Sequence, residues 1–192
     1  RSIARKYGKE VANSIPVYFH ANPFMPLTPI LGPNGELWKP THSILPFSKV
    51  LKHDDDFESL MIEYKDKMEQ HEVTMTRMFS FIDSNAFLYE PTFLWKDKQS
   101  IYHKKVYPSD LGSIPVHEHN PEGLKLVHEI KERIDAMCLA NGAIHLQIGK
   151  DYPYLQTRTK ETKALLCSLK KQFDPKNLIN PGSLGFDPVN GN

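Results

Sequence analysis

EVTMTRMFSFIDSNAFLYEPTFLW, from Glu72 to Trp95, decides the fold. Its first half, Glu72 to Ile82, alternates: Val73, Met75, Arg77, Phe79 and Phe81 fall on one side, as a β-strand requires. Its second half, Ala86 to Trp95, is a second β-rich run interrupted by Pro91, which predicts a bend or a sheet edge there. The hairpin-length loop between them predicts antiparallel pairing. Glu90 stands in an otherwise apolar run, and a buried carboxylate needs a partner. Arg77 on the neighbouring strand is the expected one, and the alternative is a role at a site.

Upstream, Phe57, Leu60, Met61, Tyr64 and Met68 recur at helical spacing, which predicts a helix over 54–71. Asp54, Asp55 and Asp56 are expected to cap its N-terminus. Downstream, Asn120-Pro121-Glu122 opens a second helix in the preferred order of cap, proline and acid. Leu124, Val127, Ile130, Ile134 and Met137 or Cys138 form its stripe, and Asn141-Gly142 is its stop. Ala143 to Ile148 reads as a short strand. A last helix runs from about Thr159 to Gln172, and Asp174-Pro175 ends it. Ile15 to Phe19 reads as β, and Asn34-Gly35 as a hairpin turn between TPIL and ELWK.

Strands paired as hairpins and covered by helices predict an α+β domain with an antiparallel, ferredoxin-like sheet. The expected division is a domain over 1–155 and a returning helix and tail over 156–192.

The 192 residues are 40% hydrophobic and 24% charged with net charge +1, the balance of an ordinary soluble domain. That balance gives no field directed at nucleic acid. No apolar run reaches the ~20 residues of a membrane helix, and the basic N-terminus lacks the pattern of a signal peptide. With Cys138 and Cys167 read as free buried thiols, a cytoplasmic protein is expected. The 15 prolines gather at 16–46 and 108–121, which predicts extended connections there. The sequence does not begin with Met, which suggests a piece of a longer chain.

Gly32 to Ser48, GPNGELWKPTHSILPFS, resembles a GPxGxxWxPxHgxxPxS segment of FAD-linked oxidases of the vanillyl-alcohol oxidase / p-cresol methylhydroxylase type. That group also holds glycolate-oxidase-like and D-lactate-dehydrogenase-like flavoproteins. Phe173 to Gly182, FDPKNLINPG, is similar to the same family's closing hDPxxIhxPG, and AFLYEPTFLW and AIHLQIGKDYPY look like its strands. The resemblance covers nearly the whole chain and corresponds to the C-terminal cap, which roofs the flavin and shapes the substrate pocket. It implies FAD held mainly by a domain outside this chain, in cis or in trans, because no Gly-rich run here suits a pyrophosphate. It implies hydride transfer from a hydroxy acid or from a 4-substituted phenol or benzylic alcohol to the flavin.

By that resemblance His42 and His145 are the candidate catalytic groups. Gln147, Tyr152, Tyr154 and Glu90 are candidate substrate-binding groups. Asn180, Pro181 and Gly182 mark where the chain returns to the FAD domain. Phenol-oxidising members carry a Tyr-Arg pair where this chain has Leu146-Gln147, and glutamine brings no positive charge. His42 has a second reading, as a buried histidine holding its proline-rich loop by backbone hydrogen bonds. His117-Glu118-His119, with His103 upstream, has ligand-like spacing, but it lies in a loop with no obvious third ligand, and no metal is expected. A non-catalytic binding or dimerisation module is the alternative, with a homodimer left open.

Overall fold

A computed structural model describes residues 2–10, 12–23, 31–106, 114–147, 149–152 and 154–186. The two central runs form β3 (Val73–Ile82) and β4 (Ala86–Trp95), antiparallel from Val73 opposite Trp95 to Ile82 opposite Ala86. On the other side of β4 lie β1 (Leu37–Pro40) and β2 (Ser43–Pro46). They share one register: Leu37 faces Trp95, Pro40 faces Thr92, Ser43 faces Tyr89 and Pro46 faces Ala86. They are therefore one strand broken at Thr41-His42, opposite Pro91-Glu90.

That break explains Pro91. The residue sits in the central strand, not at the edge its type predicts. Its carbonyl accepts from Thr41 N–H at 3.0 Å. In an antiparallel ladder the N and O of one residue point to the same neighbour, so the N–H that proline lacks would have faced the gap in the β1–β2 ladder.

Two long helices, α3 (Phe47–Gln70) and α5 (Pro121–Ala140), pack on one face of the sheet. Both predicted stripes face it. Phe57, Leu60 and Tyr64 from α3 and Val127, Ile130, Ile134 and Cys138 from α5 are buried against Leu45, Tyr89, Phe93 and Trp95. Met61, Met68, Leu124 and Met137 pack partly buried against this core. An isolated antiparallel bridge joins Ile144 to Ile44 beyond β2. In space the order is bridge, β1/β2, β4, β3, the 4-1-3-2 sheet of a ferredoxin-like α+β fold whose fourth strand is reduced to one pair. The strand expected over 143–148 is thus a single bridge.

Several other expectations change. Helix α3 begins at Phe47, so Asp54, Asp55 and Asp56 lie inside it rather than at its cap. Asp54 accepts from the Tyr89 hydroxyl at 2.7 Å, and Asp56 accepts from Lys52 at 2.5 Å and Asn141 at 2.9 Å. These carboxylates tie the helix to the sheet and to the end of α5. The run Ile15 to Phe19 lies in a helix, α2 (Ser14–Ala21), not a strand. Pro16 falls in its first turn, where a missing N–H costs nothing, so the proline-rich 16–46 stretch is not wholly extended. A shorter helix, α1 (Ser2–Tyr7), precedes it. The Asn34-Gly35 turn forms, with Gly35 at φ +79°, but ELWK pairs with β4, and its expected partner at 28–30 lies outside the described residues.

A short helix, α4 (Ile101–Val106), follows the sheet, and α6 (Lys160–Phe173) closes the helical set. Thr159, read from the sequence as the helix's first residue, is instead its cap, accepting from Thr162 N–H. No residue of α6 is buried, and Cys167 is only half-buried, unlike Cys138. Among the described residues no helix is long and apolar enough to cross a membrane.

Asn120 caps α5 as its sequence predicts, accepting from Gly123 N–H at 2.9 Å. Its amide also donates to the carbonyls of His71 and Lys96, both at 3.2 Å, so it fastens α5 to the ends of α3 and β4. Asn120→Ala is expected to lower the unfolding free energy by about 1–2 kcal/mol, read as a shift of the urea midpoint at constant slope.

Candidate functional site

His42 and His145, 103 residues apart, meet at the outer edge of β2 with ring centroids 5.7 Å apart. Tyr152 completes the group, 4.4 Å from the His42 ring and stacked on His145 at 4.6 Å. His42 is only 5% exposed. Its Nε2 accepts from the N–H groups of Leu146 at 2.8 Å and Gln147 at 3.3 Å, so that nitrogen carries no proton. The proton therefore sits on Nδ1, which donates to the Tyr152 hydroxyl at 2.8 Å. Burial, reinforced by His145 and Lys131, lowers the His42 pKa to about 4. Both nitrogens are thus engaged within the protein, the arrangement of a histidine that fastens the loop after α5 to the break in the sheet.

His145 is arranged differently. Its Nδ1–H donates to the His42 carbonyl at 2.7 Å, which leaves Nε2 bare in the neutral ring. Burial lowers its pKa, and the bond to the His42 carbonyl and the Asp135 charge oppose that shift. It is half-buried, so a neutral imidazole nitrogen is available at the surface of the group.

Lys131 went unnoticed in the sequence. It occupies a helical neighbour of Val127, Ile130 and Ile134 and is 8% exposed. Its Nζ donates to Asp135 Oδ2 at 2.6 Å and to the Asp151 carbonyl at 2.8 Å, and it lies 5.1 Å from the Tyr152 ring centre. Asp151 in turn binds Lys39 of β1 at 2.6 Å. A shallow cavity of about 160 Å³ opens among Lys39, His128, Lys131, Glu132 and Asp151. A lysine four residues from Val127 and from Asp135, inside an apolar stripe, was the signal that could have found this group.

The other candidates lie around this centre. Gln147 is exposed, and its backbone, not its amide, touches His42. Tyr154 is half-buried beneath Arg158, 4.8 Å from its ring centre. Asn180-Pro181-Gly182 forms a corner, exposed at Asn180 and Pro181 and half-buried at Gly182, with Asn180 at φ +46° and Gly182 at φ +79°. Just beyond it, Leu184 N–H donates to the Gly149 carbonyl at 2.5 Å, so the corner rests on the loop that carries His145 and Tyr152. Asp174 builds the corner's base by accepting from the N–H groups of Leu178 at 2.8 Å and Ile179 at 2.9 Å.

Glu90 does not pair with Arg77. Residue 77 lies opposite Pro91, so strand alternation puts Arg77 and Glu90 on opposite faces. Arg77 instead binds Glu58 and the Tyr89 hydroxyl on the helical face. His103, His117 and His119 are engaged separately, by Ser100, the Asn34 carbonyl and Asp97. No family model, curated protein or solved structure matches the chain.

Proposed function

We propose that this chain is the C-terminal substrate-binding cap of an FAD-dependent oxidoreductase acting on a hydroxy acid or on a 4-substituted phenol or benzylic alcohol. One observation carries the reading. The two family-like segments around residues 42 and 143–152 converge, with the His42 and His145 rings 5.7 Å apart. A site needs groups from separate elements aimed at one point. Just after the family-like closing segment, Leu184 touches the same loop at Gly149.

The exposed side chains of Leu165, Phe173, Leu178 and Ile179, each at least 60% accessible, offer apolar contact to an FAD-binding domain in cis or in trans. Among the described residues no glycine-rich turn is suited to a pyrophosphate, so the phosphates of FAD belong to that domain, and this chain faces the ring. FAD, when bound, supplies the hydride acceptor. His42 holds the loop rigid through its two backbone N–H bonds. His145, oriented by the His42 carbonyl, takes the proton of a substrate hydroxyl at Nε2. Gln147 offers a neutral amide beside it.

The test uses the complete protein. It is expected to be yellow, absorbing near 450 nm, and to bleach with substrate under anaerobic conditions. His145→Ala should slow that bleaching by about 10²–10⁴-fold while moving the unfolding midpoint little. A colourless complete protein refutes the reading, and equal loss of rate and stability makes His145 a structural residue.

A further inference from the structure

Glu90 is a carboxylate without a counter-charge on the sheet face away from α3 and α5. The register sets that face. Trp38 lies opposite Leu94, Thr76 opposite Thr92, and Met78 opposite Glu90, and directly opposed residues share a face. Among the strand residues so paired on this side, Glu90 is the one charged group. The two strand cations that could have met it, Lys39 and Arg77, belong to the helical face and are held there by Asp151 and by Glu58 and Asp54. Among the described residues no hydrogen bond or ion pair reaches Glu90; the break at His42 lies opposite it, and its charge acts on the Tyr152 phenol without supplying a counter-charge. It is half-buried, and burial alone raises its pKa. A half-buried acid normally has a partner, because desolvation without one costs free energy.

We propose that this face binds a cationic ligand, an ammonium group on a small apolar body, with the ammonium on Glu90 and the body against Met78, which Thr76, Ser80 and Thr92 flank on the same face. Charge decides the class. An ammonium supplies the missing counter-charge and donates to both carboxylate oxygens. A carboxylate ligand meets a like charge and finds no cation among the paired strand residues of this face, so it is rejected. Met78 is 52% exposed and unbranched, a side chain that adapts to varied apolar surfaces. This ligand is distinct from the hydroxy acid, phenol or benzylic alcohol proposed above as substrate, and its binding to this face does not depend on that reading.

The full chain, labelled with ¹³C at methionine methyls, is titrated with benzylamine and, separately, with mandelate. Met78, directly across from Glu90, is the reporter, assigned by Met78→Leu. Benzylamine is expected to shift the Met78 signal saturably, and mandelate is not. Glu90→Gln, nearly isosteric and uncharged, should weaken benzylamine binding about tenfold or more, the size of one lost charge-assisted contact. No saturable shift with benzylamine, an equal shift with mandelate, or an unchanged affinity in Glu90→Gln overturns the proposal. Flavin content and bleaching of the complete protein are measured apart from this titration, so the flavoenzyme reading and the ammonium site fail on separate results.

Discussion

Between pH 6.5 and pH 4 the protein is expected to lose up to roughly 6 kcal/mol of folding free energy, most of it through two histidines. His42 and His53 are 5% and 1% exposed. Burial lowers the pKa of each from 6.5 to about 4. His53 sits among Ser43, Tyr89 and Asn141. Its Nδ1 accepts from the Asn141 amide, and its Nε2 faces Ser43 Oγ, both at 3.4 Å. A group whose folded pKa is depressed favours the deprotonated native state. The stability is fully present above 6.5, falls as the unfolded chain takes up protons first, and is gone below about 4. Two and a half units at 1.36 kcal/mol each give roughly 3 kcal/mol per histidine as an upper bound.

Asp135 and Glu90 work in the opposite direction, because burial raises their pKa values and their protonation favours the folded state. Carboxylates held down by cations, such as Asp56 beside Lys52 and Asp174 beside Lys170, lose their contribution only at lower pH. The histidine loss is comparable with the whole stability of many domains, about 5–15 kcal/mol. Urea unfolding at pH 7, 6, 5 and 4 reads it directly. A free energy constant to within about 1 kcal/mol over that range, and equally constant in His42→Leu, would mean that His42 does not stay neutral on folding.

The fold was legible wherever a periodicity met its own punctuation. The hairpin 73–95, the stripes of α3 and α5, and the Asn120 cap are local signals, and local signals need only the neighbouring few residues. What failed was non-local. Asp54 to Asp56 resemble a cap until one knows that Tyr89 and Asn141 stand across from them. Pro91 resembles an edge residue until the gap at Thr41-His42 is seen beside it. Arg77 and Glu90 are an opposite-charge pair on adjacent strands, but register separates them by a face. Of the candidate site, His42 and His145 were both singled out through the resemblance, and their rings do meet. The place of Lys131 beneath Tyr152 was not anticipated, because a lysine in an apolar stripe reads as an exposed residue unless its partners are known.

Substituting His42 separates structure from chemistry at that meeting point. His42→Leu keeps the bulk of the ring but leaves three groups without their partner: the N–H donors of Leu146 and Gln147, and the Tyr152 hydroxyl. A buried polar group left unpaired costs about 1–3 kcal/mol, so about 3–5 kcal/mol is expected in total, part of it relieved by water reaching the partly exposed loop. His145→Ala removes one hydrogen bond, to a carbonyl that can find water, and is expected to cost about 1 kcal/mol. His42→Leu also removes one of the two groups that titrate between pH 6.5 and 4, so its free energy should fall less steeply across that window than that of the wild type. The two readouts are independent: a large loss at pH 7 measures the loop anchor, and the flattened slope measures the buried neutral ring. If His42→Leu costs no more than His145→Ala and the slope is unchanged, His42 does not hold the loop, and its ring is accessible to act on a ligand. If both changes appear, His42 anchors the loop as a buried neutral ring, and in the proposed reaction the proton-accepting role rests on His145, whose Nε2 is bare.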